Sequence, residues 1–474
     1  MCTLASRRLS FPAFSFVIMA LMLATALASS PTYAAPRAQE FKLANGMQVV
    51  VIPDKRAPVV THMVWYRVGA SDEPRGVSGI AHFLEHLMFK STEKIAIGEF
   101  SKLVARLGGQ DNAFTSQDAT AYFQRIAKER LGEMMSMEAD RMVNLRLTEK
   151  EVLTERDVIL EERRSRVDND PSAILAEQMD ATLYYSHPYA IPVIGWEHEI
   201  AKLDREDALS FYKHYYAPNN AILVVSGDVT ADEVRKLAED TYGKIPANPA
   251  VASKRMRPTE PPQLARRQLV LKDPRAGRPS FHRYYLTTGY TKGKKGEPEA
   301  LEVLAKILAS GSTSRLYRSL VVDKKVASSA GGWYYGDGLD SGKVALYAVA
   351  ADGVNLDAVE AEIDRVIAEV AENGVTDDEL RRAKMGLTAD YIYESDNQST
   401  LARRYGWGMV VGRTLEDIEE WPEAIERVTA EDVKQAARKQ LDIRQSVSGR
   451  LIPEVEEEPG TASRRASATP APRG

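Results

Sequence analysis

The sequence predicts an α+β protein of two homologous α/β domains, each a mainly antiparallel sheet packed by helices, joined by a Pro-rich linker. Three observations lead there. With 474 residues the chain is too long for one ordinary core, and its 44% apolar and 27% charged composition is that of a globular protein. Strand-like alternation and helix-like periodicity take turns along it. The pattern also repeats. Leu203-Asp-Arg-Glu-Asp207 opens a helix ahead of Val225-Ser-Gly227, and Val428-Thr-Ala-Glu-Asp432 opens one ahead of Val447-Ser-Gly449. Each tripeptide alone is trivial, but the shared order of acidic helix start, helix, strand and glycine points to a duplicated unit.

Taken in order, residues 1–34 read as a signal peptide: Arg7 and Arg8 precede an apolar run from Phe11 to Ala28, and Thr32 and Ala34 suit a cleavage site. Export to the periplasm or secretion is therefore expected. The alternative is an uncleaved membrane anchor, because the run is rather long. The only cysteine is Cys2, inside this segment, so disulfides, thiolate catalysis and cysteine-ligated zinc are excluded beyond it. A net charge of −5 without a basic stripe argues against nucleic acid as a partner.

Residues 35–245 form the first expected domain. Asn45-Gly46 is a hairpin turn between Phe41–Leu43 and Met47–Ile52, and a helix is expected at about 79–90. Phe100–Leu107 looks helical and stops at Gly108-Gly109, and Asn112 to Tyr122 reads as one extended strand. Helices are expected at about 127–143 and 149–167, the second opened by the capping-box pair Thr148 and Glu151. A helix near 205–215 leads into the strand Ala221–Ser226. Five prolines mark residues 246–267 as the linker, 268–452 is the second domain without the metal motif, and 453–474 is a disordered tail.

The chemistry concentrates at His82-Phe-Leu-Glu-His86. On a helix, His82 and His86 lie roughly 40° apart and Glu85 roughly 60° to the side, so all three share one face. Two imidazoles so placed can grip one metal ion, and a carboxylate between them can activate water. Of seven histidines only these two have metal-ligand spacing. The plain alternative is a solvated polar face, which the flanking Ile80-Ala81 and Leu87-Met88-Phe89 weaken. A hydrolytic zinc needs a third protein ligand, which here is His, Asp or Glu. Glu162 is the candidate, with Glu161 a direct rival, and Glu155 is placed to orient a histidine ligand. Both glutamates also fit an exposed acidic helix paired with Arg156, Arg163 and Arg164.

The run Gly79-Ile-Ala-His-Phe-Leu-Glu-His-Leu-Met-Phe89 resembles the pitrilysin/insulinase family of inverted-motif zinc peptidases, most of all its mitochondrial-processing-peptidase-like bacterial branch. Asn112-Ala-Phe-Thr115, His187-Pro-Tyr189, Gly195-Trp196 and Tyr216-Ala-Pro-Asn-Asn220 agree. The resemblance implies one Zn²⁺ per chain on His82, His86 and Glu162, with Glu85 as catalytic base and Glu155 supporting it. It implies peptide substrates paired with the strand of Asn112 and Ala113, and cleavage in a chamber between halves or subunits.

One departure stands out. The family pattern carries an arginine and, seven residues on, a tyrosine in its C-terminal half, where this sequence has Val321 and Ser328. Either the register is off and Tyr334 or Tyr335 stands in, or a homologous partner subunit (or a second copy) supplies the pair. A non-catalytic scaffold or peptide-binding subunit is the alternative function, and a closed structural zinc site is disfavoured by the lack of cysteine ligands.

Overall fold

The computed structural model describes residues 38–252 and 254–454, so the expected signal peptide, Cys2 and the tail beyond Glu454 lie outside the described residues. Among the described residues no helix is long and apolar enough to cross a membrane.

Alternating and continuous apolar runs build the first sheet from β1 (Gln39–Lys42), β2 (Gln48–Pro53) and β3 (Val59–Tyr66). After a two-residue ribbon of β4 (Ser91–Thr92) with β7 (Leu145–Arg146) come β5 (Gln110–Thr115), β6 (Thr120–Ala127) and β8 (Ala221–Gly227). The order is β1-β2-β8-β3-β6-β5, with β2 and β8 parallel and the other pairs antiparallel. The second sheet holds β9 (Arg267–Asp273), β10 (Ser280–Thr287), β11 (Ala327–Tyr335), β12 (Gly342–Ala350) and β13 (Ser446–Pro453). Its order is β9-β13-β10-β12-β11, again with one parallel pair, β9 and β13, followed by antiparallel steps. Apart from β1, which has no counterpart in the second sheet, the two sheets share one topology, with β5 and β11 as equivalent edges.

Each sheet buries one face under helices of its own half. Val49, Val51, Val64 and Leu223 meet the helices Ile80–Leu87 and Leu131–Val143, while Phe281, Leu346 and Ala348 meet Glu297–Ala309 and Leu356–Asn373. The opposite faces are covered crosswise. Helix Gln398–Val410 lays Leu401, Tyr405 and Met409 on Trp65, Met63 and Ile222 of the first sheet. Helix Pro171–Leu183 lays Leu175 and Met179 on Val447 and Leu451 of the second. Contact at the first cover is tight: a Cβ on Gly406 would sit 2.0 Å from Trp65 Nε1. Gly406→Ala should therefore lower stability by about 1–3 kcal/mol through overpacking, which calorimetric melting will show.

Residues 246–252 and 254–266 are irregular yet anchored. Arg255 donates to Asp72 and to the carbonyl of Asp118 (2.9 Å), and Arg257 pairs with Asp72 and Asp118. Three sequence expectations are corrected. The strand expected from Asn112 to Tyr122 is two strands, because Ser116 Oγ accepts from the N–H of Ala119 (3.0 Å) and turns the chain between β5 and β6. Residue 127 still belongs to β6, so the next helix starts only at Leu131. The helix opened by Thr148 ends at Arg163 and continues as a π-turn over Arg164–Asp168.

Candidate metal centre

The motif helix Ile80–Leu87 is short and held at both ends. Its first turn is closed by Glu73, which accepts from the N–H of Gly79 and of Ala81, both at 2.9 Å. Gly79 has φ 87°, and a Cβ there would lie 2.5 Å from the Ile194 carbonyl, so only glycine brings the chain into the helix at this angle. Ile80, Phe83, Leu84 and Leu87 bury the other side of the helix in the first core. His82 and His86 are thus aimed by packing, not by contact with each other alone.

The second helix of the site, Glu149–Arg163, starts at the capping box of Thr148 and Glu151 and packs Val152 and Ile159 into the same core. It brings Glu162 to the histidines. Glu162 Oε2 lies 3.7 Å from His82 Nε2 and 3.5 Å from His86 Nε2. The Glu162 Oε2 atom is buried and accepts no hydrogen bond. Two ligands at about 2.0–2.2 Å from a tetrahedral zinc sit about 3.3–3.5 Å apart, so the spacing is that of atoms sharing an ion. One ligand atom from each of the three residues lies within 4.8 Å of the other two. The donor set of two imidazoles and one carboxylate suits Zn²⁺, and the residues present fit it.

Electrostatics agree with that fit. Burial first, then His86 and Arg166, push the His82 pKa down to about 3, so its ring is neutral and has a lone pair to give. Burial also pulls His86 down, but the hydrogen bond and charge of Glu155 outweigh it and the net shift is upward. Glu155 Oε1 meets His86 Nδ1 at 2.9 Å and its Oε2 accepts from Lys90 Nζ at 2.5 Å. Those bonds, His86 first, pull the Glu155 pKa down to about 2. An ionised Glu155 fixes the proton of His86 on Nδ1 and turns Nε2 toward Glu162. His82 lacks such a brace, its Nδ1 being buried without a partner. Glu155→Gln should weaken metal affinity about 10–100-fold without unfolding the chain, readable by competition with a zinc chelator.

Glu85, on the same helix, has its pKa raised by burial, an effect that the 2.7 Å hydrogen bond from Thr115 Oγ1 to its Oε2 partly offsets. Asn112 and Ala113 stand on β5, the free edge of the first sheet, and line the same open cleft of about 1030 Å³ as His82, His86 and Glu162. The Ala113 N–H meets Asn112 Oδ1 at 2.9 Å. Glu161, the rival ligand, lines the same cleft but stands outside the ligand group, 73% exposed and paired with Arg164. His82, Glu85, His86, Asn112, Ala113, Glu155 and Glu162 therefore meet in one place. Neither proposed arginine/tyrosine register reaches it: Val321 packs on the second core, Ser328 Oγ faces the Val349 carbonyl, Tyr334 donates to the Thr288 carbonyl (2.7 Å), and Tyr335 is exposed. The described residues lining the cleft all fall between His82 and Ile194.

Sequence reasoning missed two participants. Thr115 was within reach, since it ends the stretch Asn112–Thr115, but its turn toward Glu85 depends on the break between β5 and β6. Arg166 pairs with the second oxygen of Glu162 at 2.9 Å, and its spacing of four from Glu162 was the available signal.

Comparison with known proteins now bears on this geometry. Residues 48–196 match the family described as insulinase (peptidase family M16), and residues 202–387 match the peptidase M16 inactive domain. The zinc protease PqqE of Helicobacter pylori is 34% identical over 372 residues, covering 77% of this chain and 82% of that one. The chain belongs to peptidase family M16. An uncharacterized zinc protease of Mycobacterium leprae is 31% identical over 85% of this chain and 89% of its own. The crystal structure of a protease from Helicobacter pylori superposes with a TM-score of 0.83 at 31% identity, covering 88% of this chain and all of that one. The M16 fold also matches the periplasmic protease PqqL of Escherichia coli, with a TM-score of 0.74 at 19% identity. There, 88% of this chain covers 48% of the longer one. The part matched as the M16 inactive domain is the half without HxxEH.

Proposed function

We propose that this chain is a zinc-dependent endopeptidase that hydrolyses peptides or unfolded polypeptides, and that it is the metal-bearing subunit of a two-subunit enzyme. The observation that carries the reading is the convergence of His82, His86, Glu162 and Glu85 in one cleft beside the free edge of β5. His82, His86 and Glu162 would hold the ion. Bound Zn²⁺ would polarise the scissile carbonyl and acidify the attacking water. Glu85, its Oε2 held by Thr115, takes the water proton on its other oxygen and passes it to the leaving amine. An extended substrate lies along β5 by strand addition, at Asn112 and Ala113, which sets the scissile bond over the ligands.

A partner is proposed because, among the described residues, the cleft draws no arginine or tyrosine from the second half of this chain. A homologous subunit or a second copy would supply them, and the fold's match to about half of the longer Escherichia coli chain supports such pairing. The test is cleavage of an unstructured fluorogenic peptide with and without a chelator. Chelator-sensitive cleavage that rises when a homologous partner is added is the expected result. Full activity of a monomeric preparation rejects the partner, and no cleavage with zinc and partner present rejects the peptidase in favour of a scaffold.

We also propose export to the periplasm or secretion, on the strength of Arg7, Arg8 and the apolar run that follows. N-terminal sequencing of the mature protein should begin at Ala35, and a retained Met1 in a membrane fraction would favour the anchor.

A further inference from the structure

A second cavity, of about 920 Å³, lies where the ends of β2 and β3 meet the anchored stretches 246–252 and 254–266, and it shares no lining residue with the cleft at His82. Its size is that of small-ligand sites. The acids that line it are Glu260 and Asp340, and both are engaged. Glu260 accepts from the N–H of His187 (2.9 Å), Ser186 (3.2 Å) and Tyr185, and Asp340 meets His187 (3.0 Å), Lys292 (3.4 Å) and Arg257 (3.6 Å). Arg255 and Arg257 are balanced by Asp72 and Asp118.

Arg67 is the exception. Its guanidinium donates to the Oε1 of Gln48, a neutral amide whose own Nε2 is turned to Glu40 (3.0 Å), and among the described residues it forms no ion pair. Burial first, then Arg255, push its pKa down to about 10, while the charge of Glu40 pulls the other way. Arg67 is half-buried in the cavity wall, and a guanidinium without a direct ion pair keeps donors free for a ligand that carries the opposite charge. Its planar fork matches the two oxygens of a carboxylate or a phosphate.

We propose that this cavity is a binding site for an oxyanion-bearing ligand, held by Arg67 with Lys42 and Arg255 in the same wall. Two sources share that chemistry, the free α-carboxylate of a peptide and a phosphate group. The site goes beyond the peptidase reading and stands or falls separately from it.

The test is calorimetric titration of the zinc-loaded full chain at low salt with three probes: inorganic phosphate, N-acetyl-dialanine, and the C-terminal amide of the same dipeptide. Binding of phosphate, of the dipeptide acid or of both, but not of the amide, is expected, and the acid that binds identifies the source. Arg67→Gln keeps a hydrogen-bonding side chain and removes the charge, and should weaken that binding about tenfold or more. Without ligand, this variant should melt no lower than the wild type, because no direct ion pair is lost and Gln can keep the hydrogen bond to Gln48. If it melts lower, Arg67→Lys decides: retained binding supports the site, and lost binding in a folded chain overturns it. Absence of binding at about 10 mM of either anion, or equal binding by Arg67→Gln, also overturns it.

Discussion

Glu162→Ala should leave a folded chain that no longer holds zinc. The substitution removes the one carboxylate that faces both imidazole Nε2 atoms, and two histidines alone leave the ion to solvent. Zinc should raise the melting temperature of the wild type, since a ligand of the folded state stabilises it by mass action, and should not raise that of the variant. Without metal the variant should be nearly as stable as the wild type, because Oε2 has no hydrogen bond and Oε1 pairs only with the largely exposed Arg166, a contact worth little in water. Peptide cleavage should fall by about 10³-fold or more, the several kcal/mol that a Lewis acid contributes. Bound zinc is read by elemental analysis after dialysis. Stoichiometric zinc in the variant would assign the third ligand elsewhere.

Glu85→Gln should do the reverse, keeping the metal and losing the reaction. Gln is nearly isosteric and can still accept the Thr115 hydrogen bond, so the helix and both histidines stay in place. It cannot take a proton from water, and turnover should fall about 10²- to 10⁴-fold with KM little changed. Wild-type turnover by this variant would leave Glu85 a structural residue. Metal loss would make it part of the ligand shell.

How legible the site was in the sequence depended on the range of the contact. Helical spacing alone placed His82, Glu85 and His86 on one face, because all three belong to one eight-residue helix. Glu162 versus Glu161 was open locally and was settled by family resemblance. The fold supplies the reason. Glu162 is seven residues from Glu155, roughly 20° around the helix, whereas Glu161 is roughly 120° away, so only Glu162 shares the inward face that Glu155 marks. Applying that rule required knowing that Glu155 points in, which is a tertiary fact.

The duplicated topology was visible through Val225-Ser-Gly227 and Val447-Ser-Gly449, which lie on β8 and β13, the strands flanked by a parallel neighbour in each sheet. The crossed covering helices were not visible. Helix Gln398–Val410 shows an ordinary apolar stripe, and nothing local tells whether Leu401 and Tyr405 meet the nearer sheet or the farther one. The turn at Ser116 was also hidden, since Phe114 to Tyr122 contains neither glycine nor proline and the reversal is closed by the Ser116 N–H and hydroxyl on the backbone of Ala119.

The most direct measurement is the location of zinc by anomalous diffraction from crystals of the zinc-loaded chain. One ion should lie within about 2.0–2.2 Å of a nitrogen of His82, a nitrogen of His86 and an oxygen of Glu162, with water in the remaining position. An ion bound elsewhere, or one closed by a fourth protein ligand with no exchangeable site, would contradict it.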